Sequence, residues 1–273
     1  MATPIGNLRD ITLRALDLLA AADLVACEDT RVTAKLLAHY GLAPRRVAYH
    51  EHNAERMRPL LIARLKEGAV LALVSDAGTP LVSDPGYKLV RAALAEGIPV
   101  AALPGPSSAL AALVLSGLPS DRFLFAGFLS PKAAARRGAL SELAALRATL
   151  LFFETAPRLA AALADMAEIL GDREAAVARE LTKFYEEVRR DRLGALAAHF
   201  RDHGPPKGEL VIAVGPPERA ADAALAGEAI DAELSAALAT MSVKDASAAV
   251  AAATGRPRRD LYRRALELAG RDR

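Results

Sequence analysis

Short apolar runs recur along this 273-residue chain, and nearly every pair is separated by a longer stretch with apolar residues at helical spacing. That alternation demands βα crossovers and excludes an all-helical or an all-β fold. In the first half the pattern predicts helices over 11–22, 33–40, 54–67, 86–96 and 107–115. Strands are predicted at 24–27, 46–49, 70–74 and 100–103, and Gly68 and Gly97 stand where helix C-caps belong. Gly117, Pro119 and Ser120 in "SGLPSDRF" interrupt both periodicities. Strands resume at 123–127, 150–154, 176–179 and 210–214, with 184–189 as the hairpin partner of the third. From 218 onward the chain reads as Ala-rich helix, closing with a pair of helices joined at "TGRP". The expected domains are an α/β unit over 1–118, a second over 119–217, and a basic helical tail over 218–273.

A parallel sheet wants a strand ahead of the loop-like "TPIGN", and only the first residues of the chain precede it. The expectation is that the chain begins late, by start-site choice or truncation, with the first strand missing.

Hydrophobic residues make up 52% of the chain, enough for a sizeable core, which must be Leu, Val and Ala because aromatics are only 4%. One cysteine, Cys27 in "LVACED", excludes an internal disulfide and a Cys-based zinc cage. A formal net charge of +2 does not announce a nucleic-acid protein by itself. With no signal peptide and no long uncharged apolar span, a cytoplasmic protein without a membrane partner is expected.

Three predicted strand ends share one chemistry: "TPIGN", "SDAGTPLVSDPG" and "LPGPSS". Ligands of open α/β sheets settle at the carboxyl ends of strands. Glycine lets backbone N–H groups approach them, and proline lowers the cost of ordering the loop. Ser107 or Ser108 can cap the helix behind "PGP", whose N-terminus favours an anion. Any one of these loops is an ordinary βα turn; three together make a ligand trough. G-x-G-x-x-G and P-loop fingerprints are absent, which leaves an adenosine-like or small anionic cofactor.

Other polar clusters read in two ways. "CEDTR" is a helix start capped by Asp29 or Thr30, or a substrate contact. "YHEHN" is a hydrogen-bonded loop rather than a metal site, since His50 and His52 have no companion ligand. "FFETAPRL" offers Glu154 and Arg158 as a strand-end ion pair or a ligand contact. "RELTKFYEE" places Glu180, Thr182 and Lys183 after a strand, as solvated charges or as site residues. Two basic clusters, Lys132, Arg136, Arg137 and Arg147 against Glu142, and seven Arg within 256–273, are solubilising faces or sites for RNA phosphates.

Taken in order, "TPIGNL", "EDTR", "SDAGTPLVSDPG", "PGPSSA", "GLPSDRF", "FFETAPRL", "RELTK" and "KGELVI" resemble the ribosomal small subunit methyltransferase I family of the tetrapyrrole (corrin/porphyrin) methylase superfamily. The match runs from Ala2 to about Gly215 and more loosely through the tail. The resemblance implies two α/β domains with a cofactor cleft between them and a helical extension. It also implies S-adenosylmethionine as methyl donor and a homodimer, acting on the ribose 2′-oxygen of a decoding-centre cytidine in 16S ribosomal RNA of the small subunit.

By the same resemblance Ile5, Gly6, Asp76, Gly78, Thr79, Pro80, Ser83, Ser107 and Ser108 meet the cofactor from the first domain. Phe153, Glu154 and Leu181 meet it from the second. Removing a ribose hydroxyl proton calls for a base or a nearby cation. The candidates are Glu180 and Lys183, with Asp29 and Arg31 as alternates; RNA would meet Lys132, Arg136, Arg137, Arg258 and Arg259. No metal is expected. The rival readings are a carbon methylase of a tetrapyrrole intermediate, which needs no basic clusters, and a non-catalytic RNA-binding protein on the same fold.

Overall fold

A computed structural model describes residues 1–83, 85–217, 220–254 and 256–271, without the side chains of 220–227 and 271. Asp84 of "SDPG", Gly255 of "TGRP", and Asp272 and Arg273 of the basic terminus lie outside the described residues. The chain forms two compact units, Met1–Pro217 and Glu218–Arg273.

The first unit opens with α1 (Leu13–Ala21), β1 (Leu24–Cys27), α2 (Thr30–His39), β2 (Arg46–Ala48), α3 (Ala54–Lys66), β3 (Leu71–Val74), α4 (Tyr87–Ala95) and α5 (Ser108–Ser116). The helices start where a side chain can satisfy an orphan N–H: Thr12, Asp29 and Ser107 accept from Ala15, Arg31 and Leu110. The three strands form a parallel sheet in the order β2-β1-β3. Ala15, Leu19, Leu36 and Leu37 are buried on one side, and Leu61, Ile62, Leu89 and Ala93 pack in a separate cluster with α3 and α4. The polar loops 28–29, 49–53 and 75–83 therefore emerge together at the carboxyl end of the sheet.

A strand expected at 100–103 is not formed. A strand exists only through its ladder, and the one main-chain bond recorded to this stretch runs from Ala2 N–H to Leu103 O, 3.2 Å. Met1 and Thr3 are tied to β3 and its loop: the terminal ammonium donates to Leu73 O at 2.8 Å, and Thr3 pairs with Gly78.

After Gly117, whose positive φ of 76° ends α5, the chain builds β4 (Phe123–Phe128), α6 (Ala133–Leu143), β5 (Thr149–Glu154), α7 (Leu159–Leu170), β6 (Glu174–Arg179), β7 (Glu187–Arg192), α8 (Leu193–His203) and β8 (Leu210–Val214). These five strands run in the order β4-β5-β8-β6-β7, parallel only between β4 and β5. β8 is buried along its whole length, as a strand covered on both faces must be. Leu140, Leu163, Met166 and Leu193 cover one face. The other is covered by α5, whose Ala109 and Leu113 meet Leu151, Ala176 and Ala213. α5 thus packs on the second sheet although it precedes the break at 117–120. β7 starts three residues later than the alternation suggests, at Glu187 instead of 184, because 180–186 is folded into a turn.

The second unit is three helices, α9 (Ala220–Leu238), α10 (Val243–Thr254) and α11 (Arg258–Arg271), packed on Leu234, Val250, Leu261 and Ala265. Among the described residues, no helix is long and apolar enough to cross a membrane.

The basic cluster on α6 turns inward, contrary to its assignment to RNA. Arg136 is only 7% exposed and donates to Asp165 on α7 at 2.7 Å, while Arg137 bonds Asp165 at 3.0 Å and also Glu168. Lys132 stays exposed. Removing one partner of such a buried pair strands the other charge. Asp165→Ala should therefore lower stability by about 3 kcal/mol in urea unfolding, several times the cost of an exposed ion pair.

Candidate active site

A cavity of about 470 Å³ opens in the first unit where the strand ends of both sheets converge. Four groups of residues line it: Ile5 of the first loop; Ala77, Gly78, Thr79, Val82 and Ser83 after β3; Ser107 and Ser108 at the start of α5; and, from the second sheet, residues at the ends of β4, β5 and β6 and the start of β8. The loops are joined by their own hydrogen bonds. Thr3 and Gly78 exchange main-chain bonds of 2.9 and 3.0 Å, Thr3 Oγ1 donates to Ser75 O at 3.1 Å, and Thr79 Oγ1 donates to Pro106 O at 3.2 Å.

Four described non-glycine residues hold positive φ: Leu81 (71°), Ser83 (63°), Glu180 (48°) and Thr182 (65°). All four sit in the two loops, after β3 and after β6, that supply cavity walls. Each costs on the order of 1 kcal/mol and persists where the surroundings over-determine the backbone, a situation concentrated at ligand sites. Gly78 adds φ +74°, and a Cβ there would press on Ile5 at 3.3 Å.

The walls divide chemically. Phe128 and Phe153, ring centroids 5.4 Å apart, with Pro157, Leu181 and Leu210, offer an apolar face for a flat heterocycle. Ser107 and Ser108 bring the N-terminus of α5, with its unpaired N–H groups and positive dipole end, to the cavity wall, where it suits a carboxylate. Polar backbone at Gly78 and Gly208 also lines the cavity. This set fits a nucleoside carrying an amino-acid tail.

Of the predicted cofactor residues, Ile5, Gly78, Thr79, Ser83, Ser107, Ser108, Phe153, Glu154 and Leu181 line the cavity, while Gly6, Asp76 and Pro80 do not. Gly6 is needed for packing: Asn7 N–H donates to Thr182 Oγ1 at 3.1 Å, and a Cβ on Gly6 would collide with Lys183 and Thr182. Asp76 faces a neighbouring cleft. Glu154 lines the wall, but its carboxylate is occupied by Arg158 at 2.9 Å and by Thr155 N–H at 2.7 Å, which makes it a brace for the β5 end.

Sequence reasoning assigned no role to Val82, Phe128, Thr155, Ala156, Pro157, Ala178 or residues 208–211, which complete the walls. They contribute backbone and apolar surface, which carry no signature in a single sequence. "KGELVI" was the one available signal.

The proposed catalytic residues separate. Glu180 and Lys183 do not line the cavity. Lys183 Nζ donates to Glu180 at 2.8 Å and to Glu209 at 3.0 Å. Burial works against its charge, but the two carboxylates outweigh burial and hold Lys183 above its ordinary value. Bonds from Lys183 and from Glu209 N–H hold Glu180 below its own. A protonated amine locked between two acids does not act as a base. Asp29 caps α2, and the side-chain and backbone bonds of Arg31 lower its carboxylate to about 2, too acidic for an effective base near neutrality. Cys27 is fully buried with its thiol on Val47 O at 3.6 Å, and burial raises its pKa.

The Glu180–Lys183 pair has a defined pH window. The lowered Glu180 stabilises above its ordinary 4.5 and loses this as pH falls through its folded value. The raised Lys183 stabilises below its ordinary 10.5 and loses this as pH rises through its folded value. Lys183→Met should cost about 1 kcal/mol at neutral pH, with the difference from the parent protein shrinking at both extremes of a pH-dependent unfolding series.

Comparison with known proteins agrees with this fold. Residues 2–197 match the family Tetrapyrrole (Corrin/Porphyrin) Methylases, and residues 223–269 match the RsmI C-terminal HTH domain. The chain is 55% identical to the ribosomal RNA small subunit methyltransferase I of Mesorhizobium japonicum, covering 98% of this chain and 90% of that one. It is 54% identical to the protein of the same name from Erythrobacter litoralis, over 98% and 94%. A solved structure of uroporphyrin-III C-methyl transferase from Thermus thermophilus, complexed with S-adenyl homocysteine, shares the fold with a TM-score of 0.55 at 23% identity, over 79% of this chain and 95% of that one. The chain belongs to the ribosomal RNA small subunit methyltransferase I family, built on the tetrapyrrole methylase fold.

Proposed function

We propose that this protein transfers a methyl group from S-adenosylmethionine to the ribose 2′-oxygen of a decoding-centre cytidine in 16S ribosomal RNA. It works in the cytoplasm on the small ribosomal subunit, as a homodimer. The observation that carries the reading is the cavity itself: three polar loops and an aromatic wall meeting around a space for a nucleoside with a charged tail. It stands in a chain more than half identical, nearly end to end, to rRNA small subunit methyltransferases.

When bound, S-adenosylmethionine supplies a methyl group on a positively charged sulfur. Phe128, Phe153, Leu181 and the 208–211 backbone would receive the adenine. The α5 N-terminus at Ser107 and Ser108 would hold the carboxylate, and Gly78, Thr79 and Ser83 would flank the ribose and the methionine chain. The braced loops keep that geometry without further ordering, so the cost of alignment is met during folding.

RNA phosphates are met by the second unit, where Lys244, Arg258, Arg259 and Tyr262 surround a surface depression. Arg258 and Arg259 sit at the start of α11, and Arg258 reaches Lys244 O at 3.4 Å. Lys132 remains available on the first unit. Arg136 and Arg137, spent on α7, are withdrawn from this role.

Three measurements test this reading. Mass spectrometry of rRNA from a strain lacking the gene should show one cytidine ribose methylation lost; an unchanged pattern refutes the substrate. Gly78→Ala should raise the dissociation constant for S-adenosylhomocysteine at least about tenfold by isothermal titration, since a side chain at positive φ costs about 1–2 kcal/mol and narrows the cavity. Replacing Arg258 and Arg259 by Ala should flatten the salt dependence of small-subunit binding by about 0.7–0.9 in log–log slope for each phosphate no longer neutralised.

A further inference from the structure

A second cleft, of about 480 Å³, lies at the carboxyl end of the first sheet and is lined by Glu28, Asp29, Thr30, Arg31, Ala48, His50, His52 and Asp76. Consecutive residues of one loop serve the two spaces: Asp76 faces this cleft, while Ala77 and Gly78 line the cofactor cavity. The two spaces are therefore connected through one loop.

The cleft is built for a ligand with both hydroxyls and polar edges. Asp76 has one carboxylate oxygen fixed by Asp29 N–H at 3.0 Å, and no bond to its second oxygen is recorded among the described residues. The Nδ1 of His50 is buried and unpartnered among the described residues, although the loop around it is firmly held by His50 N–H to Asn53 Oδ1 at 3.0 Å. A buried ring nitrogen without a partner is costly unless something else supplies one. The His50 and His52 rings stand 6.0 Å apart at 63°, and the guanidinium of Arg31, 87% exposed at the rim, is in reach of a backbone phosphate. Acids that accept from hydroxyls, imidazoles that stack or donate, and an outer arginine together describe one nucleotide of an RNA strand turned out of its stack.

We infer that this cleft receives the acceptor nucleoside and that Asp76 takes the proton of its 2′-hydroxyl. The inference rests on the reading of the protein as a ribose methyltransferase. In the step, Asp76 removes the hydroxyl proton as the ribose oxygen bonds to the methyl carbon, and the sulfur keeps the electron pair of the carbon–sulfur bond that breaks and becomes neutral. Asp76 is then a catalytic residue, in place of Glu180, Lys183 and Asp29; His50 and His52 hold the nucleoside.

The test uses the full chain and small ribosomal subunits from a strain lacking the gene. Asp76→Asn keeps the acceptor for Asp29 N–H. It should bind S-adenosylhomocysteine within about threefold of the parent while single-turnover methylation falls at least about 100-fold. His52→Ala should raise KM for the subunits about tenfold with little change in kcat. Independently of turnover, cytidine added to protein saturated with S-adenosylhomocysteine should shift the imidazole NMR signals of His50 and His52. Normal turnover by Asp76→Asn, a loss that follows S-adenosylhomocysteine affinity, or unmoved imidazole signals would overturn the assignment. Should the parent protein leave the subunits unmethylated, the rRNA reading fails, and the imidazole signals alone decide whether the cleft takes a nucleoside.

Discussion

Thr3 and Gly78 exchange two main-chain hydrogen bonds, and the loops that build the site hang from that pair. Through it the first loop is pinned to the loop after β3; Thr79 extends the connection to Pro106 and thence to the α5 cap. Gly6, with Asn7 bonded to Thr182, carries it across to the loop after β6. A cavity whose walls come from two sheets needs such ties, because each loop alone would be free to collapse into it. Of the residues at positive φ, Thr182 is reached by this connection through Asn7 N–H, and Glu180 is held by Glu209 N–H on its carboxylate at 3.0 Å.

Charge in this protein divides between bracing and recognition. Arg136, Arg137, Arg158 and Lys183 all look available in the linear chain, and all are consumed by carboxylates inside the first unit. Among the described side chains that face an open cleft are Lys244, Arg258 and Arg259 on α10 and α11, and Asp76, His50, His52 and the Asp29-paired Arg31 at the end of the first sheet. A basic cluster in a sequence is thus a poor guide to an RNA surface until its acidic partners are located. Asp165 and Glu168, which neutralise Arg136 and Arg137, lie about thirty residues away.

Much of the fold was legible because it obeys local rules. The βα alternation, the caps at Asp29 and Ser107, the break near Gly117 and the strand at Leu210–Val214 all follow from periodicity and turn chemistry. Two readings failed where pairing decides. Residues 100–103 have strand composition but no recorded ladder, and the β6–β7 turn is longer than alternation implies because Glu186 accepts from Thr182 N–H within it and Lys183 ties it to Glu209 across the chain.

The sequence by itself determined the class of the fold, the places where polar loops interrupt it, and the family, because these depend on residue order and on motifs read one at a time. Only the tertiary structure decided what each polar residue does. It sent Asp76 to a cleft separate from the cavity lined by Gly78, locked Lys183 between two acids, and completed that cavity with Phe128, Ala178 and Gly208, which carry no motif. The reason is physical: a side chain's role is set by which charges and surfaces lie within a few ångströms of it, and those neighbours come from distant parts of the chain.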